Sequence, residues 1–199
     1  MTITNIHQDG KRNLHFYLLA SLFTALTAAG AFIRIPLPYV PITLQTFFVL
    51  LAGLILGPQF GFLSQIIYLV VGLIGLPVFT NGGGIGYIFQ PTFGYLLGYP
   101  VSAYVVGRFL WNHTINYNVS FVRLLIANLI GVLIIFVLGL AGLYLNLKYV
   151  AGKTINFTTL MWTGFIVFIP GDLIKILTCS IIAKKLIPNI RFIYEQKNS

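Results

Sequence analysis

Long apolar runs constrain the fold of this chain more than any other feature. The longest occupies residues 124–147, where only Asn128, Asn146 and small residues interrupt it. About 20 consecutive apolar residues span a bilayer as a helix, and the chain has room for about six such segments. Only 8% of the 199 residues are charged, against about 25% in an average soluble domain. The sequence therefore predicts an all-α integral membrane protein.

Six transmembrane helices are predicted in a single membrane domain that comprises residues 1–199. Their approximate bounds are 14–33, 43–57, 60–76, 92–111, 123–147 and 160–187. A tight Gly-Pro turn separates the second span from the third, and Pro77 ends the third because proline cannot donate a backbone hydrogen bond. The first span resembles a secretory signal peptide, but its apolar run exceeds the 7–15 residues of such a peptide. We therefore interpret it as a retained helix.

Basic residues are distributed unevenly among the segments that connect the spans. The chain has 12 Lys and Arg against three acidic residues. With six spans, both termini share a side with eight basic residues, whereas the other side carries Arg34, Lys148 and Lys153. The positive-inside rule then places both termini in the cytoplasm. Because the basic residues lie at span ends rather than along one polar face, nucleic-acid binding is not expected.

Two ionisable residues, Asp172 and Lys175, lie within the sixth predicted span. A lone charge at the centre of a bilayer costs at least about 2.5 kcal/mol, so such residues are usually functional. Their i, i+3 spacing places them on one face of a helix, where they can neutralise each other. Pro170 and Gly171 directly before them are expected to kink the helix. The favoured interpretation is a binding site, and the alternative is a structural ion pair that fixes helix packing.

A glycine-rich segment at residues 80–87 (TNGGGIGY) is predicted to be an external loop. Gly82, Gly83 and Gly84 allow the backbone to approach a ligand closely and present N–H groups to it. Asn81 precedes them and Tyr87 follows, adding an amide and an aromatic surface. The alternative is a flexible external turn, because glycine runs alone are weak evidence of a site.

Gln45 lies about one turn inside the second predicted span. Its amide is both donor and acceptor, which suits an amide or urea group of a ligand. The alternative is a hydrogen bond to a neighbouring helix. In the predicted topology Gln45, the glycine-rich loop and the Asp172–Lys175 pair surround an outward-facing pocket. A mostly apolar pocket with a few placed polar groups is typical of a small-molecule site.

Several other classes of function lack the residues they need. The sequence has no Walker A motif, so the chain is not expected to hydrolyse ATP. Cys179 is the single cysteine and the three histidines are scattered, so neither a metal site nor a catalytic nucleophile is predicted. A membrane enzyme is therefore disfavoured. A self-sufficient secondary transporter, with Asp172 as its ion or proton site, remains the alternative to a binding subunit.

Small residues recur at helical spacing in the first predicted span. Ala25 and Ala29 lie one turn apart, and such small-xxx-small faces allow another helix to approach closely in lipid. This pattern predicts either an interface with a partner protein or packing within the chain itself.

Three segments in chain order resemble the BioY family, the biotin-specific substrate-binding (S) components of energy-coupling factor (ECF) transporters. They are IPLPYVPITLQTFFVLLAGLILGP, the stretch GLIGLPVF–NGGGIGY–PTFGYLLGY, and IPGDLIK. The resemblance implies an S-component-like six-helix bundle in the bacterial cell membrane that captures biotin from outside. It also implies a transmembrane coupling protein and two ATPase subunits as partners, contacted partly through Ala25 and Ala29. No cofactor is expected, since biotin is the transported ligand.

The resemblance also assigns residues. Gln45 matches the family's Leu-Gln element, Asn81 lies in its Gly/Asn-rich loop, and Asp172 and Lys175 match its Gly-Asp-x-x-Lys element. An ionised carboxylate suits the N–H donors of the ureido ring, and a lysine suits its carbonyl.

The chain departs from the family's pattern at two positions. Phe93 replaces the first glycine of a Gly-Gly-Tyr element. Leu96 stands where some members place an arginine near the carboxylate of the ligand.

Overall fold

The chain folds into a helical bundle with one small β-ribbon. The computed structural model describes the backbone of residues 3–111 and 119–196 and the side chains of residues 14–111 and 119–188. The α-helices are α1 (Ile3–Phe32), α2 (Gln45–Leu73), α3 (Phe93–Trp111), α4 (Phe121–Leu145), α5 (Phe157–Gly164) and α6 (Ile169–Gln196). Short helices of other types occupy Ile85–Phe89, Asn146–Val150 and Ile166–Phe168. The all-α prediction is confirmed.

Four helical segments among the described residues are long and apolar enough to cross a membrane. They are Leu14–Phe32, Gln45–Leu73, Phe121–Val150 and Phe157–Pro188. The prediction of an apolar, multi-helix membrane protein agrees with these segments. The number of six spans stays a prediction.

Helix α2 folds back on itself at Gly57. This residue has φ 77° and ψ −173°, outside the helical region, and Pro58 follows it. A Cβ on Gly61 would lie 3.1 Å from the Cα of Gly53, whereas eight residues of an unbroken helix extend about 12 Å. The two halves of α2 therefore run side by side, and the turn predicted after residue 57 is present. Only glycine adopts the positive φ easily, and a Cβ at Gly57 would lie 2.8 Å from the indole of Trp111.

The sixth predicted span begins with a break. Helix α5 ends at Gly164, Phe165 has φ −139° and ψ −60°, and α6 begins at Ile169 after a single short 3-10 turn. The kink predicted at Pro170 and Gly171 is thus located earlier in the chain. Pro170 is tolerated because the first turn of a helix needs no backbone donor.

Helices α3 and α4 pack with their backbones in contact. A Cβ on Gly94 would lie 2.7 Å from the Cα of Gly142, and a Cβ on Gly139 would lie 2.2 Å from the ring of Tyr95. Small residues permit such close approach in membrane bundles. This packing places Tyr95 between the two helices, beside the cavity described next.

A two-residue ribbon precedes α2. β1 (Arg34–Ile35) pairs antiparallel with β2 (Ile42–Thr43), with Arg34 opposite Thr43. The prolines between these strands prevent a longer ladder, because proline lacks the N–H that a strand pairing needs. We call residues 34–43 the Pro-rich segment.

Candidate ligand-binding site

A cavity opens between the Pro-rich segment and helices α2, α3, α4 and α6. About 510 Å³ of its space is free of protein atoms, including the part open to solvent. Its polar wall comprises Thr43, Gln45, Thr46, Thr80, Thr92, Asp172 and Lys175, and its aromatic wall comprises Tyr95, Tyr99, Phe136 and Phe168.

The two charges of the cavity wall form an ion pair on α6. Lys175 Nζ donates to Asp172 Oδ1 over 2.8 Å, and the two residues are 9% and 5% exposed. Asp172 lies in the first turn of α6, where the helix dipole stabilises a negative charge. The i, i+3 contact predicted from the sequence is therefore present, and the pair faces a cavity rather than a tightly packed helix interface.

Gln45 lines the same cavity, and its amide is bonded to the protein. Nε2 donates to the hydroxyl of Tyr68 over 2.5 Å. Oε1 accepts from Thr43 Oγ1 at 3.1 Å and from Thr80 Oγ1 at 3.3 Å. Gln45 therefore lies in the cavity wall and also connects the two halves of α2. Ligand contact by its amide stays a prediction.

The glycines of residues 80–87 lie outside the cavity wall. The Gly82 N–H donates to Phe79 O at 3.2 Å, and the Gly84 N–H donates to Gly72 O at 2.7 Å. A Cβ on Gly83 would lie 2.1 Å from Leu76 O, so this loop packs closely against the end of α2. Ligand contact by Gly82, Gly83 and Gly84 stays a prediction.

Asn81 and Tyr87 are not among the residues that line the cavity. Ligand contact by either stays a prediction. Asn81 is exposed, and its Oδ1 accepts from Arg34 Nη1 at 2.9 Å. Tyr87 is buried, and its hydroxyl accepts from Thr92 Oγ1 at 3.0 Å. Thr92 lines the cavity, so Tyr87 supports that wall from behind.

Sequence analysis did not single out Tyr99, Phe136 or Phe168. The ring centroids of Tyr95 and Phe136 lie 6.2 Å apart, and those of Phe136 and Phe168 lie 5.9 Å apart. Tyr99 follows Tyr95 by one turn on the same face of α3, and that spacing was the one available signal. Nothing in the sequence connects Phe136 of α4 with Phe168 near α6.

Tyr95 also forms a hydrogen bond with the segment between α5 and α6. Its hydroxyl donates to Gly164 O over 2.7 Å. That carbonyl ends α5, and the last carbonyls of a helix have no partner within it. This hydrogen bond therefore connects the aromatic wall to the segment just before α6, the helix that carries Asp172 and Lys175.

Ala25 and Ala29 are exposed on α1. The helix instead packs on α2 through other residues: Thr24 Oγ1 donates to Ser64 O at 2.7 Å, and Gln65 Nε2 donates to Thr27 Oγ1 at 3.3 Å. The face that carries Ala25 and Ala29 is therefore open to lipid or to a partner.

Comparison with known proteins gives concordant matches. A family model described as the BioY family matches residues 5–192. A probable biotin transporter BioY from Lysinibacillus sphaericus is 41% identical over 169 residues, which are 85% of each chain. The biotin transporter BioY of Thermotoga maritima is 38% identical over 84% of this chain and 92% of its own. A solved S-component for biotin from an ECF-type ABC transporter superposes with a TM-score of 0.75 and 29% identity, covering 94% of both chains.

Proposed function

Because the chain belongs to the BioY family, we propose that it captures biotin as the S component of an ECF transporter. The observation that carries the proposal is the buried Asp172–Lys175 pair in the wall of an otherwise largely apolar and aromatic cavity. The proposal is also supported by the similarity of the fold to a solved S-component for biotin, which covers 94% of that chain.

The cavity offers a chemical partner for each part of biotin. The ureido ring has two N–H donors and one carbonyl acceptor, which suit the Asp172 carboxylate and the Lys175 ammonium. Tyr95, Tyr99, Phe136 and Phe168 suit the thiophane ring and the alkyl chain, because aromatic side chains provide large apolar contact areas. Gln45 holds Thr43 and Thr80 in the wall, so its contribution includes the shape of the site.

Transport by this chain is proposed to need partners, namely an ECF coupling protein and two ATPase subunits. Ala25 and Ala29 on the exposed face of α1 allow another helix to approach closely, and we assign this face to the coupling protein. Both termini are placed in the cytoplasm and the cavity mouth outside, in line with the positive-inside bias of the sequence.

The decisive experiment is ligand binding by the purified chain. Isothermal titration with biotin, thiamine and riboflavin should give measurable binding of biotin alone. In vesicles, accumulation of biotin should require ATP and the partner subunits. Accumulation driven by an ion gradient through this chain alone would replace the proposal with a secondary transporter.

The orientation is tested by thiol labelling of intact cells. Ile85 is 69% exposed, and the native Cys179 is fully buried, so it contributes little background. Ile85→Cys should react with an impermeant maleimide, whereas Ser199→Cys should react only after permeabilisation. The reverse pattern would contradict the proposed orientation.

A further inference from the structure

Arg34 joins two segments that are far apart in the sequence. It belongs to β1, at the start of the Pro-rich segment. Its Nη1 donates to the carbonyl oxygen of Thr80 and, over 2.9 Å, to Oδ1 of Asn81. We call these two hydrogen bonds the clasp. They connect the Pro-rich segment to the glycine-rich loop.

The clasp closes a ring of contacts along one side of the cavity. Arg34 pairs with Thr43 across the ribbon, and Thr43 Oγ1 and Thr80 Oγ1 both donate to Gln45 Oε1. Thr43, Gln45 and Thr80 line the cavity, whereas Arg34 lies outside its wall. Arg34 therefore completes this ring of contacts from outside the cavity, whereas Thr43, Gln45 and Thr80 belong to its wall.

The chemistry of the clasp makes it stronger than an ordinary loop contact. A guanidinium donor is always charged, and both acceptors are neutral oxygen atoms. Charge-assisted hydrogen bonds are roughly twice as strong as neutral ones. Exposure of Arg34 to solvent reduces this advantage.

We propose that Arg34 is a positioning residue that holds the glycine-rich loop on the Pro-rich segment and thereby slows release of the bound ligand. The inference rests on the proposed function, because the ligand is taken to be biotin. A ligand that leaves between these segments must separate Thr43 from Thr80, and the clasp opposes that separation. Asn81 then acts through Arg34 rather than through direct ligand contact.

The first test compares dissociation rates of labelled biotin from purified protein after a chase with unlabelled biotin. Arg34→Met should accelerate dissociation by roughly 5- to 20-fold, the range for loss of two solvent-exposed hydrogen bonds. Arg34→Lys should stay within about threefold of the wild type, because both clasp bonds come from one nitrogen that an ammonium can replace. Lys148→Met removes one positive charge from residues 146–150 without touching the clasp, and it should leave the rate unchanged.

The second test is a double-variant cycle with Asn81→Ala. If Asn81 acts through the clasp, Arg34→Met combined with Asn81→Ala should dissociate no more than about twofold faster than Arg34→Met alone. If the two substitutions instead accelerate dissociation independently, so that their factors multiply, Asn81 does not act through Arg34. An Arg34→Met variant with a wild-type dissociation rate and a wild-type melting temperature would overturn the clasp itself.

A ligand-free measurement separates this inference from the proposed function. Hydrogen exchange at the Gly82 and Gly84 amides should be at least about fivefold faster in Arg34→Met than in Lys148→Met, because the loop opens more often without its clasp. Equal exchange rates overturn the clasp even if the wild type binds biotin. Faster exchange in a chain that does not bind biotin supports the clasp and removes biotin as the ligand.

Discussion

Gln45 and Gln65 are the same residue type on the same helix, and both are almost completely buried, with 1% and 0% exposure. Gln45 lies in the wall of the cavity, beside Thr80 and the charged pair of α6. Gln65 lies between α1 and α2, where Nε2 donates to Ser64 Oγ at 3.0 Å and Oε1 has no partner among the described residues. Burial of a polar side chain in an apolar helix therefore does not identify a binding site.

The difference between the two regions lies in what surrounds the amide. The α1–α2 contact is closed, and its hydroxyls also donate to carbonyls of their own helix: Thr27 to Phe23 and Ser64 to Gly61. The hydrogen bond between the helices, from Gln65 Nε2 to Thr27 Oγ1, contributes modestly to helix association in membranes. The cavity region instead combines an ion pair, an aromatic wall and unfilled space, which together make ligand binding possible.

The largest effect is expected when the charged pair of the cavity is broken. Asp172→Asn removes the charged acceptor and leaves Lys175 without a counter-charge. Hydrogen bonds to charged groups contribute about 1.5–3 kcal/mol, so biotin affinity should fall roughly 10- to 150-fold. Lys175→Met should weaken affinity comparably, because Asp172 is then buried and unpaired.

Titration calorimetry measures biotin affinity and thermal melting measures stability, both on the same detergent-purified proteins. Unchanged affinity in both variants would show that the pair has only a structural role, as the polar residues of the α1–α2 contact do.

The double variant Asp172→Asn, Lys175→Met separates stability from binding. Removing one member of a buried ion pair costs about 3–5 kcal/mol of unfolding free energy, because the other charge is left buried without a partner, whereas the double variant leaves no buried charge. The double variant should therefore melt at a higher temperature than either single variant, without recovering biotin affinity. Recovery of affinity together with stability would contradict a direct role of the pair in binding.

A smaller effect is expected from Gln45→Met. Tyr68 keeps its hydrogen bond to the carbonyl of Val78 at 3.1 Å, but Thr43 and Thr80 lose their shared acceptor. A neutral hydrogen bond contributes about 0.5–1.5 kcal/mol, so its loss should lower biotin affinity roughly two- to 12-fold. Affinity equal to that of the wild type would place Gln45 in the same class as Gln65.

The smallest effect is expected from the matched substitution Gln65→Met. Methionine has a similar volume and removes the unpaired Oε1, and the hydroxyls of Thr27 and Ser64 keep their backbone acceptors. Biotin affinity should stay within about twofold, and unfolding free energy should change by less than about 1 kcal/mol. A loss of affinity as large as that of Gln45→Met would show that the α1–α2 contact communicates with the cavity.

The sequence by itself determined the features that depend on composition or on short spacing. Apolar runs specify membrane helices, because lipid accepts only segments that satisfy their own backbone hydrogen bonds. The Asp172–Lys175 contact follows from the geometry of one helical turn, and the break at Gly57–Pro58 follows from the local preferences of glycine and proline. The three BioY-like segments identified the family.

Only the tertiary structure decided which distant residues share the cavity. Tyr99, Phe136 and Phe168 come from separate parts of the chain, and close glycine contacts such as Gly94–Gly142 set how near their helices lie. The glycine-rich loop was expected to offer its N–H groups to a ligand, but the carbonyls of Gly72 and Phe79 accept from two of them. The physical reason is that helix packing, rather than spacing along the chain, determines which partner each polar group meets.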